Sequence, residues 1–516
     1  MLVRSAAVVG LYTGLSRLVG FVRDVLLAAF LGTGPVADAF FVAFKLPNFF
    51  RSLFAEGAFN AAFVPLYSEI LTRNGREFAQ AFAERALAVL LAALVVFVAL
   101  SQIFMPTLML GLAPGFVDEP EKFDLAVAFT RITFPYLLLI SLVSLFGGVL
   151  NSLGRFAAAA AAPILMNLTL IAALLGLTRY LPTAGHALAA GVTLSGIVQF
   201  LWLALALQRS GLGLSLPRPK LTPKVRQLIK VALPAALGAG VVQVNLVIGV
   251  ILASLLPSGA ISYLFYADRL NQLTIGVVGV AVGTALLPLL SRQIATAETE
   301  AALNSQNRAI ELALFLALPA ASALIAVPQE IIGPLFERGA FTAADTEATA
   351  AALLAYSLGL PAYVAIKALT PGFYARQDTA TPVKIAALAI TINILASFIL
   401  MRPLAHAGLA LATAISGWVN AFCLAFVLNR RALWRADARL KSRLWRMAGA
   451  SLVMTAALLA LAKANEAWLG PSAGERLLAL SLLVGGGVLI YGSASHLIGA
   501  AKVTEIRALL AAKPGR

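Results

Sequence analysis

Charge is scarce in this sequence. Only 12% of its 516 residues are Asp, Glu, Lys or Arg, about half the share of an ordinary soluble domain. Acidic residues are the scarcer sign, 23 against 39 basic ones, which leaves a formal net charge of +16. The single cysteine, Cys423, excludes an intrachain disulfide. His186, His406 and His496 lie far apart and form no metal-ligand spacing, so no metal site is expected. No Gly-rich phosphate loop and no Ser/His/Asp arrangement occurs. The first apolar stretch holds Arg17, Arg23 and Asp24 and runs past signal-peptide length, so no cleavable signal is expected.

Apolar surface is what the chain has in excess. Hydrophobic residues make up 60% of it, and the mean hydropathy is +0.91. No water-soluble core could hide that much. The apolar stretches are continuous rather than alternating, which excludes a transmembrane β-barrel and predicts an all-α polytopic membrane protein. Fourteen candidate helices are read, at 5–31, 36–66, 82–112, 125–150, 158–178, 185–208, 227–255, 260–290, 309–327, 346–370, 381–400, 406–428, 447–463 and 475–500. With the N-terminus inside, the even-numbered connections are inside and collect most of the arginine and lysine, including Arg209 to Lys230 and Arg430 to Arg446. The outer connections hold only Lys122, Arg179, Arg338, Arg402 and Lys463. That asymmetry fits the positive-inside rule with both termini cytoplasmic. It also accounts for the net charge without nucleic acid as a partner.

An internal repeat is legible. Ser195-Gly196-Ile197-Val198-Gln199 matches Ser416-Gly417-Trp418-Val419-Asn420 at an offset of 221. Val64-Pro65-Leu66-Tyr67-Ser68 matches Leu287-Pro288-Leu289-Leu290-Ser291 at 223, and Asn48 matches Asn271 at the same offset. Two halves of six helices, an even number, share one orientation, with a substrate site expected near the midplane. The expected division is 1–210 for helices 1 to 6, 211–430 for helices 7 to 12, and 431–516 for helices 13 and 14 and a basic tail.

Charges inside the spans mark where function sits, because each costs about 2.5–3.5 kcal/mol at a helix centre on insertion scales. They gather in three helices. Helix 1 has Ser16, Arg17, Arg23 and Asp24; helix 2 has Asp38, Lys45, Asn48, Arg51 and Glu56; helix 8 has Asp268, Arg269, Asn271 and Gln272. Arg17 and Arg23 diverge by about 120° on a straight helix, so a bend at Gly20 is expected if both face one cavity. The arginines outnumber the carboxylates expected to reach them. A surplus of guanidinium in a membrane cavity calls for an anion, and its planar fork fits a phosphate or pyrophosphate. Without an ATP motif, the driving force is expected to be the membrane potential or an ion or substrate gradient.

Ser16-Arg17-Leu18-Val19-Gly20-Phe21-Val22-Arg23-Asp24, Ala37-Asp38-Ala39-Phe40, Lys45-Leu46-Pro47-Asn48-Phe49-Phe50-Arg51 and Ala55-Glu56-Gly57-Ala58-Phe59 resemble the opening of the MurJ (MviN) family. Glu337-Arg338-Gly339-Ala340-Phe341-Thr342 and Phe373-Tyr374-Ala375-Arg376-Gln377-Asp378-Thr379 extend the resemblance along the chain. It implies two six-helix lobes in a V plus two C-terminal helices that form a groove for a polyprenyl tail. It implies a bacterial inner-membrane flippase, not an enzyme, that carries lipid II, the undecaprenyl-pyrophosphate-linked peptidoglycan precursor. Arg17, Arg23, Arg51 and Arg269 would meet the head group. Asp24, Asp38, Asn48 and Glu56 would orient them or gate the cavity, with Ser16, Asp268 and Gln272 in support. Cell-wall synthesis proteins are the expected partners, and the chain is expected as a monomer without cofactors. Helix 7 carries Gln243 and Asn245 but no carboxylate, a departure that weakens sodium coupling and leaves Asp378 as the remaining acid. The resemblance also implies the multidrug/oligosaccharidyl-lipid/polysaccharide exporter superfamily, so the alternative is another polysaccharide-lipid exporter or a drug or cation antiporter of that superfamily, and the antiporter calls for a carboxylate-rich cavity. An alkaline phosphatase reporter inserted at residue 180 should be active and one inserted at residue 215 silent; the reverse pattern would invert the topology.

Overall fold

The computed structural model describes residues 2–51, 59–468 and 472–500; side chains are described for these except 2–8, 235–242, 277–285 and 466–468. Every regular element among the described residues is helical. By length and composition, nine helical stretches among them can cross a membrane. Fourteen was the finer expectation.

The chain forms two compact units. The first comprises Met1–Ser262 and Arg338–Phe341; the second comprises Tyr263–Glu337 and Thr342–Arg516. This contact-based division is distinct from the repeat-based boundary near residue 210.

The first unit holds α1 (Leu2–Leu31), α2 (Pro35–Phe50), α3 (Asn60–Asn74), α4 (Arg76–Ile103), α5 (Met105–Leu112), α6 (Pro120–Thr133), α7 (Tyr136–Ser152), α8 (Phe156–Leu177), α9 (Ala184–Gln208) and α10 (Pro223–Ser254). It also contains the first turn of α11 (Ala260–Ala295). Proline opens α2, α6 and α10, where its missing N–H costs no hydrogen bond and its φ is preset. Thr183 and Thr222 cap α9 and α10 by accepting from His186 N and Val225 N. After α9 the chain runs along α4. Arg76 and Gln80 donate to the carbonyls of Ser210 and Gly213, and Glu84 accepts from Ser215 N.

The second unit continues α11 and adds α12 (Thr299–Ala326), α13 (Pro328–Phe336), α14 (Ala343–Ser357), α15 (Leu360–Leu369), α16 (Pro371–Tyr374), α17 (Ala380–Arg430), α18 (Ala438–Trp468) and α19 (Ala473–Leu497). The 51-residue α17 covers two expected helices, 381–400 and 406–428. Non-helical Ala405, at φ 47° and ψ −128°, separates its two arms. Capping boxes start α14, at Thr342 and Asp345, and α19, at Ser472 and Glu475. Ala450, Met454, Leu458, Leu483 and Tyr491 form one apolar cluster, and Tyr491 Oη donates to Phe315 O at 2.9 Å. Only 17% of the apolar window of α19 is buried. A helix this apolar with so little cover needs lipid around it.

Asp378 lies between α16 and α17, outside the spans. Its carboxylate accepts from Thr381 N at 2.9 Å, Thr381 Oγ1 at 2.7 Å and Arg431 Nη1 at 2.7 Å. Those bonds, Thr381 first, hold its pKa down to about 2. A carboxylate lowered in this way adds stability above its unfolded pKa near 3.8, and that stability is lost as pH falls through about 2. Asp378→Asn should therefore lower the thermal midpoint at pH 6, with the difference from the parent shrinking as the pH is taken from 4 towards 2. A difference that does not change with pH would contradict this.

Candidate substrate-binding residues and a buried ionic clasp

α1 carries the first cluster. Arg23 and Asp24 are both buried, at 8% and 4% exposure. Arg23 Nε and Nη2 both donate to Asp24 Oδ1, at 3.0 and 2.6 Å. Arg23 Nη1 donates to Asn167 Oδ1 on α8 at 2.8 Å, and Asn167 Nδ2 donates to Ser16 O at 3.1 Å. One amide thus ties the guanidinium and the α1 backbone to α8. Gly20 lies between these two attachments. A Cβ added there would sit 3.2 Å from Asn167 Nδ2. α1 is continuous from Leu2 to Leu31, and Gly20 serves the close approach of α8.

The arginines differ in surroundings. Arg23 is compensated by Asp24 and is no part of a guanidinium surplus. Arg17 is exposed, whereas Asp24, seven residues on, is buried. On α2, Arg51 Nε donates to Asn48 Oδ1 at 3.1 Å, and Asn48 Nδ2 donates to Phe44 O at 2.9 Å. Arg51 and Asn48 are half-buried and Lys45 is exposed. Glu56 lies outside the described residues. Arg269 belongs to the second unit, where its guanidinium lies 4.5 Å from the Phe265 ring centroid. One turn away, Gln272 Nε2 donates to Asp268 Oδ2 at 2.8 Å. Gln243 and Asn245 on α10 are half-buried.

Asp38 anchors a second cluster. Its side chain is 1% exposed. Asp38 Oδ2 accepts from Gly259 N at 2.7 Å, and Oδ1 accepts from Ser262 N at 2.9 Å and Ser262 Oγ at 2.6 Å. The first turn of a helix presents unpaired N–H groups and a positive dipole end. Gly259, just before α11, has no side chain with which to satisfy them, and its φ of 98° favours glycine. Asp38 supplies the missing cap from α2. Lys122 completes the clasp, with Nζ 3.4 Å from Asp38 Oδ2, 3.4 Å from Glu119 Oε1 and 2.7 Å from Ser258 Oγ. Beside it, Ala340 N donates to Ala29 O at 2.8 Å, so the 338–341 segment is fastened to the end of α1.

Sequence reasoning singled out Arg23, Asp24 and Asp38 but missed the groups that hold them. Asn167 left a faint signal, a lone amide inside the apolar α8. Lys122 left none, since it reads as an ordinary loop charge. Among the described residues, no group of three His, Cys, Asp or Glu side chains suits a metal ion.

The family model described as "Lipid II flippase MurJ" matches residues 27–472. A Rhizobium tropici protein named "Probable lipid II flippase MurJ" is 44% identical over 515 residues, covering 98% of this chain and 96% of the relative. "Lipid II flippase MurJ" of Burkholderia cenocepacia is 34% identical over 473 residues, covering 91% and 92%. A solved structure of "Lipid II flippase MurJ, inward closed conformation" aligns with TM-score 0.79 at 27% identity, covering 97% of this chain and 99% of that one. An inward-facing multidrug resistance MATE family transporter of the MOP superfamily shares the fold, with TM-score 0.64 at 17% identity, covering 82% and 95%. With matches that run from end to end of its helices, the chain belongs to the MurJ family of lipid II flippases.

Proposed function

We propose that this chain moves lipid II across the bacterial cytoplasmic membrane, from inner to outer leaflet, by alternating access. Family membership over nearly the whole chain is the observation that carries this. In this proposal the two repeat halves are lobes around a cavity, both termini are cytoplasmic, and the chain works as a monomer beside the cell-wall synthesis proteins.

The diphosphate is the part of the cargo that hydrocarbon rejects most strongly, because an unpaired charge there costs several kcal/mol. Arg17 is exposed and Arg51 half-buried, so these two make the first contact. Arg269 adds a third guanidinium. Arg23 enters last, when a phosphate oxygen replaces Asp24 Oδ1 on Nε and Nη2. Asn167 keeps Nη1 throughout, so the fork stays aimed. Asp24 competes with the cargo, which keeps binding reversible, as turnover requires. Asn48 accepts from Arg51 Nε and so fixes the position of its guanidinium. Ser16, Asp268, Gln272 and Glu56 support these groups.

In the proposed topology, the start of α2, the start of α11 and the 338–341 segment all lie on the outer side. The Asp38 clasp then closes the outer mouth while the cargo loads from inside. Release needs the carboxylate to leave the first turn of α11. Membrane potential supplies about 2.3 kcal/mol per elementary charge per 100 mV, enough to bias such a step. Sodium coupling is not proposed, because α10 offers Gln243 and Asn245 in place of a carboxylate.

Depletion in cells that lack any other flippase should cause lipid II to accumulate in the inner leaflet; an unchanged outer-leaflet pool would refute the assignment. A charge-assisted hydrogen bond contributes about 1.5–3 kcal/mol. Arg17→Glu and Arg269→Glu should therefore slow flipping by roughly 10- to 150-fold at tenfold per 1.4 kcal/mol, with normal membrane insertion. Full flipping rates in either variant would remove that residue from the head-group site.

A further inference from the structure

Lys122 is 2% exposed, and the mechanism above gives it no role beyond its place in the clasp. Its ammonium stands at the same distance, 3.4 Å, from two carboxylates of opposite character. The Asp38 side chain is 1% exposed and that of Glu119 is 43% exposed. Ser258 Oγ accepts from Lys122 Nζ at 2.7 Å and donates to Glu119 Oε2 at 2.8 Å, which keeps Glu119 beside the ammonium. The Phe116 ring lies beneath, its centroid 4.3 Å from Nζ. Asp38 also holds the first turn of α11 through Gly259 N, Ser262 N and Ser262 Oγ.

An opening that parts Asp38 from both α11 and α6 takes three donors and an ammonium from its carboxylate. A buried ammonium left without a counter-charge is strongly unfavourable, so a clasp with one carboxylate would open only at great cost. We propose that Lys122 is a positioning residue that hands its ion pair from Asp38 to Glu119 as the clasp opens, so the ammonium is never stranded. This rests on the flippase reading, in which the outer mouth must open to release cargo, and it adds the element that makes opening reversible.

Opposite signs for the two partners follow. Lys122→Met removes the counter-charge of a buried Asp38, which penalises the closed clasp. Glu119→Gln removes the receiving carboxylate, which penalises the open clasp, where it is the sole counter-charge, more than the closed one, where Asp38 also pairs with Lys122. A lysine that merely props up the fold would give both variants the same sign.

The test uses the full-length protein in right-side-out membranes, with Cys423→Ser to remove the native thiol and Ala260→Cys as reporter. Ala260 is the first residue of α11 and 3% exposed. A membrane-impermeant maleimide added outside reads how often the clasp opens. Lys122→Met should raise the labelling rate about tenfold, the equivalent of about 1.4 kcal/mol. Lys122→Arg, which keeps the charge, should label like the parent, and Glu119→Gln should label several-fold more slowly. An unchanged or faster rate in Glu119→Gln overturns the proposal, even where Lys122→Met fails to insert. So does an unchanged rate in an inserted Lys122→Met. Labelling needs no cargo, so its failure is distinct from a failure to flip lipid II.

Discussion

A charge carried into hydrocarbon must find a partner, and that constraint fixes the arrangement of ionised groups in this protein. The effective penalty for an unpaired buried ion is several kcal/mol, comparable with the entire stability of many domains. Arg23 accordingly shares two nitrogens with Asp24 and gives a third to Asn167. Asp38 spends its two oxygens on the first turn of α11 and on Lys122. On α12, buried Glu311 is ringed by Arg308, Arg439 and Arg443. Each cluster joins elements far apart in sequence, so charge neutralisation also fastens the helices.

Paired charges do a second thing that apolar packing cannot. An ion pair can exchange one partner for another at little net cost when the new partner is already at hand. In the proposal a phosphate oxygen takes the place of Asp24 on Arg23, and Glu119 that of Asp38 on Lys122. A transporter needs steps of this kind, since a site that binds too tightly ends the cycle. In the proposed cycle one exchange accommodates a diphosphate and the other opens and closes a mouth.

Much of this was legible beforehand. Hydropathy and the Lys/Arg asymmetry set the class. The motif around Arg23-Asp24 and Ala37-Asp38 led to both clusters. What stayed hidden has physical reasons. A side chain's partner in another helix has no local periodicity, so Asn167 and the Asp38 cap on α11 were invisible. Lys122 lies in a polar run, Pro120-Glu121-Lys122, that resembles any exposed helix start, and only tertiary burial distinguishes it. Gly20 was read as permitting a bend, and its close approach to Asn167 was not foreseen, because flexibility and close approach leave the same mark in a sequence. The two expected helices 381–400 and 406–428 are the two arms of α17, on either side of non-helical Ala405.

The central claim is that guanidinium groups in the first two helices and α11 meet the diphosphate of the cargo. Binding of lipid II to the purified protein by native mass spectrometry, beside an analogue whose diphosphate is replaced by an uncharged linker, tests this most directly. The account predicts that the uncharged analogue binds at least about 100-fold more weakly, the loss expected from about two charge-assisted contacts. Equal affinity for the two would contradict it.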